Sequence, residues 1–251
     1  MKRLVILMLA LVLCVGAVGV SKAAGPDDIT YMTEQYPPFN YEEQGELKGL
    51  AVDLLDAVLK EMGASKSKKD FKILPWAQGY NRVQSEGNTC LFSMTLTDSR
   101  KPLFKWVGPV IETKTAIIAK KGSGVKIGSA ADLGNYKYGV IRDDVGQQLL
   151  EEAGVSKDKM DITSKNESNI KKLDKGRIDA WAYEESSAKY QLKLAGMNPE
   201  DFETVYILKA GTLQFAFNKG VPDALIADFQ KALEAVKAKG IQQQIADKYL
   251  K

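Results

Sequence analysis

The 251-residue sequence predicts an α/β protein. Two observations carry that expectation. Short β-branched or apolar runs alternate with amphipathic stretches whose apolar residues recur at three- and four-residue spacing. Glycines stand where several of those stretches stop, as at Gly63, Gly87 and Gly240.

Taken in order, Ile29–Thr33 reads as a strand. Leu50–Met62 reads as a helix with Val52, Leu55, Leu59 and Met62 on one stripe. Phe71–Leu74 is a strand, Ala77–Ser85 a helix and Cys90–Met94 a short apolar strand. Ile111–Lys120 is a longer β-branched run. Tyr138–Ile141 is a strand, followed by helices over Val145–Ala153 and Asn169–Lys175. Ala180–Tyr183 is a strand and Glu185–Leu194 a helix. Thr204–Leu208 and Leu213–Asn218 are strand-like, with a turn expected near Ala210-Gly211. Helices over Asp223–Lys239 and Ile241–Tyr249 close the chain. There is no internal repeat, low-complexity tract or Gly/Ser linker.

The start of the chain has the layout of a secretory signal peptide. Lys2 and Arg3 precede an apolar stretch from Leu4 to Val20, and Ser21 and Ala23 supply small residues before a cut after Ala23. An uncleaved anchor is the alternative, but the stretch is short for a membrane-spanning helix. Leu13 before Cys14 does not suit a lipid-modified cysteine. Residues 1–23 are therefore expected to be removed on export, leaving a periplasmic protein without a lipid anchor.

That segment carries three of the 35 basic residues and none of the 32 acidic ones, so the remainder balances at 32 of each. A balanced chain offers no nucleic-acid footprint, which needs clustered positive charge. The chain has no histidine. This excludes Ser-His-Asp and Cys-His nucleophilic schemes and histidine-ligated zinc. No metal or cofactor is expected. Cys90 alone remains after the cut, and it is expected to pack as a small hydrophobe.

Four segments then stand in a telling order. They are Gln35-Tyr36-Pro37-Pro38-Phe39, Gly49-Leu50-Ala51-Val52-Asp53-Leu54-Leu55, Ser93-Met94-Thr95-Leu96-Thr97-Asp98-Ser99-Arg100, and Gly176-Arg177-Ile178-Asp179-Ala180-Trp181-Ala182-Tyr183-Glu184. Together they resemble the family 3 extracellular solute-binding proteins, polar amino-acid receptors of ABC importers. The resemblance implies a type II periplasmic-binding-protein-like fold, with two α/β lobes joined by two hinge strands that close on a ligand. Residues 24–112 and 211–251 would form a discontinuous first lobe and residues 113–210 the second. A small polar amino acid or similar zwitterion is the implied ligand, an inner-membrane ABC permease the implied partner, and a monomer the expected state.

The same resemblance implies the ligand contacts. Arg100 matches the carboxylate-binding arginine, whose planar fork suits two parallel hydrogen bonds. Ser93 and Thr95 match positions that share that carboxylate. Tyr36 and Trp76 match aromatic walls of the cleft. Glu184 matches the acceptor of the ligand's α-amino group, where the family usually has Asp. Bland alternatives stand beside these: a surface ion pair for Arg100, core packing for Trp76, a solvated helix start for Glu184. Phe39 is expected in the core, and Tyr41 and Tyr80 are assigned no role.

Two departures from the family matter. The turn Ile141-Arg142-Asp143-Asp144-Val145-Gly146 carries two acids where the family usually offers Gly, Ser or Thr. Either acid suits a helix cap. If Asp144 faces the cleft, two carboxylates oppose one arginine, favouring a ligand with extra positive charge. The segment Gly87–Ser93 is also shorter than usual. Two other functions remain open from the residues alone: a dehydratase-like enzyme using cleft carboxylates, and a ligand-sensing partner of a membrane receptor.

Overall fold

The computed structural model describes residues 24–250. The expected signal peptide and Lys251 lie outside the described residues. In chain order the strands are β1 (Thr30–Thr33), β2 (Tyr41–Glu43), β3 (Glu46–Lys48), β4 (Lys72–Ile73), β5 (Thr89–Thr95), β6 (Lys105–Lys120), β7 (Tyr138–Ile141), β8 (Met160–Thr163), β9 (Ala180–Glu184) and β10 (Phe202–Phe217). The helices are α1 (Leu50–Glu61), α2 (Trp76–Ser85), α3 (Val145–Glu152), α4 (Asn166–Asp174), α5 (Glu185–Leu194), α6 (Asp223–Ala238) and α7 (Ile241–Leu250).

The main sheet runs β4-β1-β5-β10-β6-β9-β7-β8. Its spine is the antiparallel ladder of β6 and β10, paired from Phe202↔Lys120 to Phe217↔Lys105. Each end of that ladder carries different neighbours. β5 joins β10 over Leu213–Phe217, and β1 and β4 follow in parallel. β9 joins β6 over Thr115–Ala119, and β7 and β8 follow in parallel. Between the two ends, Thr113 and Lys114 pair only with Gly211 and Ala210. The result is a two-lobed α/β protein whose halves are linked by two long strands.

Ala210-Gly211 is thus the middle of a continuous strand, and the turn expected there does not form. Thr113 and Lys114 supply a full ladder of partners, which local sequence cannot reveal. β6 likewise begins at Lys105, six residues before the expected start: Gly108-Pro109 interrupts the β-branched run in the sequence, while Phe215, Ala216 and Phe217 of β10 pair with Val107, Trp106 and Lys105. The hairpin β2–β3 and the four-residue β8 are additional to the expectation.

Strand periodicity divides the second lobe's core. Ile118, Trp181 and Tyr183 pack on one face with the larger cluster. Ile117, Ala119, Ala180 and Ala182 pack on the other with Leu133, Tyr138 and Leu150. The larger cluster is continuous across the cleft, since Tyr36 and Trp76 belong to it together with Ile141 and Tyr183. Cys90 is fully buried in it, as expected, and burial pushes its thiol pKa up.

Two glycines set the frame near the cleft. Gly49 precedes α1 at φ 126°, and a Cβ there would lie 2.3 Å from the Phe39 carbonyl oxygen. Only glycine accepts both constraints. Gly146 lets α3 approach β9, since its Cβ would lie 2.5 Å from the Ala182 carbonyl oxygen.

Candidate functional site

The cleft side of the first lobe is built on β5, the loop before β2 and the start of α2. Ser93 lies where the β5–β10 register shifts, between Phe92 and Met94, which pair with Phe215 and Gln214. It is the extra residue of a bulge, held at φ 67°. That conformation costs a serine about 1–3 kcal/mol. Its hydroxyl is buried with no hydrogen-bond partner among the described residues. Thr95 ends β5, is buried, and offers its carbonyl to Arg100 at 3.4 Å.

Arg100 is 1 % exposed, which removes the surface ion-pair alternative. Its guanidinium carbon lies 5.2 Å from the ring centroids of both Trp76 and Tyr80. Those rings stack with centroids 5.6 Å apart. Tyr80, to which no role was assigned from sequence, therefore belongs to the Arg100 setting. It lies one helical turn after Trp76 on α2, and that i, i+4 spacing was the available signal.

The edge of Arg100 facing the second lobe is engaged. Nε donates to Gln148 Oε1 at 2.8 Å, and Nη2 donates to the Asp143 carbonyl at 3.3 Å. The same carbonyl accepts from Trp76 Nε1 at 2.8 Å and from Gln148 Nε2 at 3.1 Å. Asp143 sits at φ 60°, with its amide held by Gln147 Oε1 at 2.9 Å. Of the two acids in this turn, the backbone of Asp143 thus reaches across the cleft.

Asp144 caps α3, accepting from the Val145 amide at 2.7 Å. It is also buried close to Arg100. Burial raises its pKa, and the guanidinium pulls it back. Burial in turn lowers the pKa of Arg100, with Asp144 opposing. A third acid was not foreseen from sequence. Glu34, half-buried after β1, has its pKa raised well above the usual range by burial and then by Asp144, with Arg100 opposing. It lies two residues before Tyr36, outside the motif.

Tyr36 packs against Phe39 and edge-on against Tyr183 of the second lobe, at centroid distances of 5.2 and 5.6 Å. The loop is closed by Asn40 Nδ2, which donates to the Glu34 carbonyl at 2.7 Å. Phe39 is core, as expected.

Glu184 ends β9 and caps α5, accepting from the Ser187 amide at 2.6 Å. At 2 % exposure it is not a solvated helix start. Burial raises its pKa, opposed by the Ser187 and Ser186 amides. It lines a cavity of ≈ 520 Å³ beside the linking strands, with Thr113, Ser186 and Gly211. Arg100 is not among the residues that line this cavity. Tyr36 has its pKa raised by burial, then by Glu184, Tyr183, Asp144 and Glu34.

The family model for bacterial extracellular solute-binding proteins, family 3, matches residues 29–251. The chain belongs to that family. This family 3 protein is 25% identical over 256 residues to the probable amino-acid-binding protein YxeM of Bacillus subtilis, covering 99% of this chain and 95% of YxeM. It is 29% identical over 230 residues to the L-arginine-binding protein of Pseudomonas aeruginosa, covering 85% and 84% of the two chains. An ancestral arginine-binding protein bound to arginine superposes with a TM-score of 0.74 at 26% identity, covering 89% of this chain and 99% of that one. The family 3 protein is an extracellular solute-binding protein, and its family and relatives are substrate-binding transport proteins and not enzymes. Among its described residues no helix is long and apolar enough to cross a membrane.

Proposed function

We propose that the protein is the periplasmic receptor of an ABC importer for a polar amino acid. Exported through the cleavable segment 1–23 and not lipid-anchored, it acts as a monomer and delivers its ligand to an inner-membrane permease. The names of its relatives, among them arginine- and histidine-binding proteins, support an amino acid as the ligand.

The observation that carries the reading is Arg100, a buried guanidinium without a direct ion pair among the described residues, bonded to the Thr95 carbonyl of the strand that also holds the unpartnered hydroxyl of Ser93. A ligand carboxylate would take the Nε–Nη2 edge, replacing Gln148 Oε1 and the Asp143 carbonyl there, with Ser93 and Thr95 completing its contacts. Tyr36 and Trp76 would wall the ligand, and Glu184 would receive its ammonium group. A buried carboxylate with a raised pKa gains most from a cationic partner. Asp144 adds negative potential near Arg100 and so disfavours an acidic side chain.

The lobes in this reading are residues 24–112 with 211–251, and residues 113–210. In the middle of the β6–β10 ladder the two strands pair only with each other, with no third strand beside them, and this supports a hinge there.

A thermal-shift screen against the amino acids tests the reading. A true ligand at a hundredfold excess over its Kd stabilises the protein by about 2.7 kcal/mol. Arg100→Ala is expected to abolish the shift. No shift with any amino acid would overturn the reading. A ligand preference unchanged in Asp144→Ser would remove Asp144 from the site.

A further inference from the structure

A cavity of ≈ 350 Å³ opens between the lobes, lined by Glu34, Pro75 and Trp76 from the first and by Ile141, Asn166 and Gln191 from the second. It shares Trp76 with the Arg100 setting, so a ligand anchored at Arg100 has this cavity within reach. Its apolar walls are Pro75, the Trp76 indole and Ile141, which suit a methylene stem.

Two acceptors of the cavity, the Glu34 carboxylate and Asn166 Oδ1, have no hydrogen-bond donor among the described residues. The Glu34 carboxylate makes no hydrogen bond or ion pair with any described residue, and only the Glu34 backbone carbonyl is engaged. Asn166, 9 % exposed, has its Oδ1 fully buried without a partner, while its side chain also faces the Tyr183 hydroxyl. Gln191 has its Nε2 committed to Tyr183 and Ser187. Lys165 and Glu167 stand exposed at the rim and offset each other in charge.

We infer that this cavity is the side-chain pocket of the cleft, and that Glu34, with Asn166 beside it, selects an amino acid whose far end carries a positive charge and several N–H donors. The inference rests on the amino-acid reading above and adds the ligand class and the residues that choose it. A guanidinium or ammonium end supplies what both acceptors lack, and its charge offsets a carboxylate that burial and Asp144 otherwise disfavour. A neutral isostere fills the same volume without supplying the charge.

Isothermal titration of the purified protein with L-arginine and with L-citrulline, its neutral isostere, tests this. The wild type is expected to bind arginine at least about tenfold more tightly, the scale of one charge-assisted hydrogen bond. Glu34→Gln is expected to weaken arginine binding by about tenfold or more and to leave citrulline within about threefold. Asn166→Ala, which keeps Glu34, is expected to weaken arginine by about threefold to tenfold. Equal wild-type affinities for the two ligands, or preference for an acidic amino acid, would overturn the inference and leave the receptor reading standing. So would a Glu34→Gln variant that binds arginine as the wild type does. A wild type that binds none of the amino acids would overturn the receptor reading itself and this inference with it.

Discussion

The Trp76 indole Nε1 donates to the Asp143 carbonyl oxygen at 2.8 Å, joining the start of α2 to the turn before α3. The left-handed backbone of Asp143 turns that carbonyl toward the first lobe, where Arg100 Nη2 also reaches it. Two first-lobe donors and one second-lobe acceptor thus form a latch between the lobes. Trp76→Phe keeps the ring stack on Tyr80 and removes the hydrogen bond. It is expected to lower stability by about 0.5–1.5 kcal/mol and to enlarge the radius of gyration of the ligand-free protein. Chemical denaturation and small-angle scattering read the two effects.

Gln148 competes with the ligand for Arg100. Its Oε1 holds Nε at 2.8 Å, one of the two positions a bidentate carboxylate requires. Gln148→Leu removes the competing acceptor at similar volume. Affinity for the ligand is expected to rise, by about threefold to tenfold, the worth of one hydrogen bond. Titration calorimetry on the two proteins measures it, and weaker binding by the variant would show that Gln148 assists the ligand instead.

The buried acids make ligand-free stability depend on pH. Glu34, Asp144 and Glu184 all have folded pKa values raised above the unfolded ones, chiefly by burial. The folded state therefore binds more protons than the unfolded chain. Stability from these groups is fully present below the ordinary carboxylate pKa of about 4 and is lost as pH rises through the raised values. Asp53 works oppositely: Lys248 and Tyr249 outweigh its burial and hold it low, so its contribution is lost only on the acid side of that range. The ligand-free melting temperature is expected to fall from mildly acid to neutral pH, and Glu34→Gln to flatten the slope. Binding of a cationic ligand near neutral pH is expected to release protons, measurable as a dependence of the calorimetric heat on buffer.

Gly146 sets the distance between α3 and β9. A Cβ would meet the Ala182 backbone at 2.5 Å, and backbone cannot rotate aside as a flexible side chain can. Gly146→Ala is expected to cost about 1–3 kcal/mol through overpacking. It also moves Asp144 and Gln148, which flank it on the same helix start, so ligand affinity is expected to fall with stability. Denaturation and titration on one preparation check both.

Where the chain's own pattern was strong, it foretold the structure. Tyr138–Ile141 and Glu185–Leu194 form over the expected residues, and α1 fits its apolar stripe. These elements follow from local periodicity, because one face of each must be buried wherever the rest of the chain lies. The family resemblance, and not periodicity, singled out Arg100, Ser93, Tyr36 and Trp76 as ligand contacts, and each of the four is buried.

Other features depend on residues distant in the chain. Ala210-Gly211 looks like a turn until Thr113 and Lys114 arrive to pair with it. Glu34 looks like an ordinary surface acid until the α3 turn brings Asp144 near it. Asp143 and Asp144 looked equivalent, yet one lends its carbonyl to Trp76 and Arg100 while the other buries its carboxylate at a helix cap. Periodicity reports only that a side chain needs burial. Which partner it meets, and therefore whether a buried carboxylate is paired or left waiting for a cation, is set when two lobes separated by scores of residues close on each other.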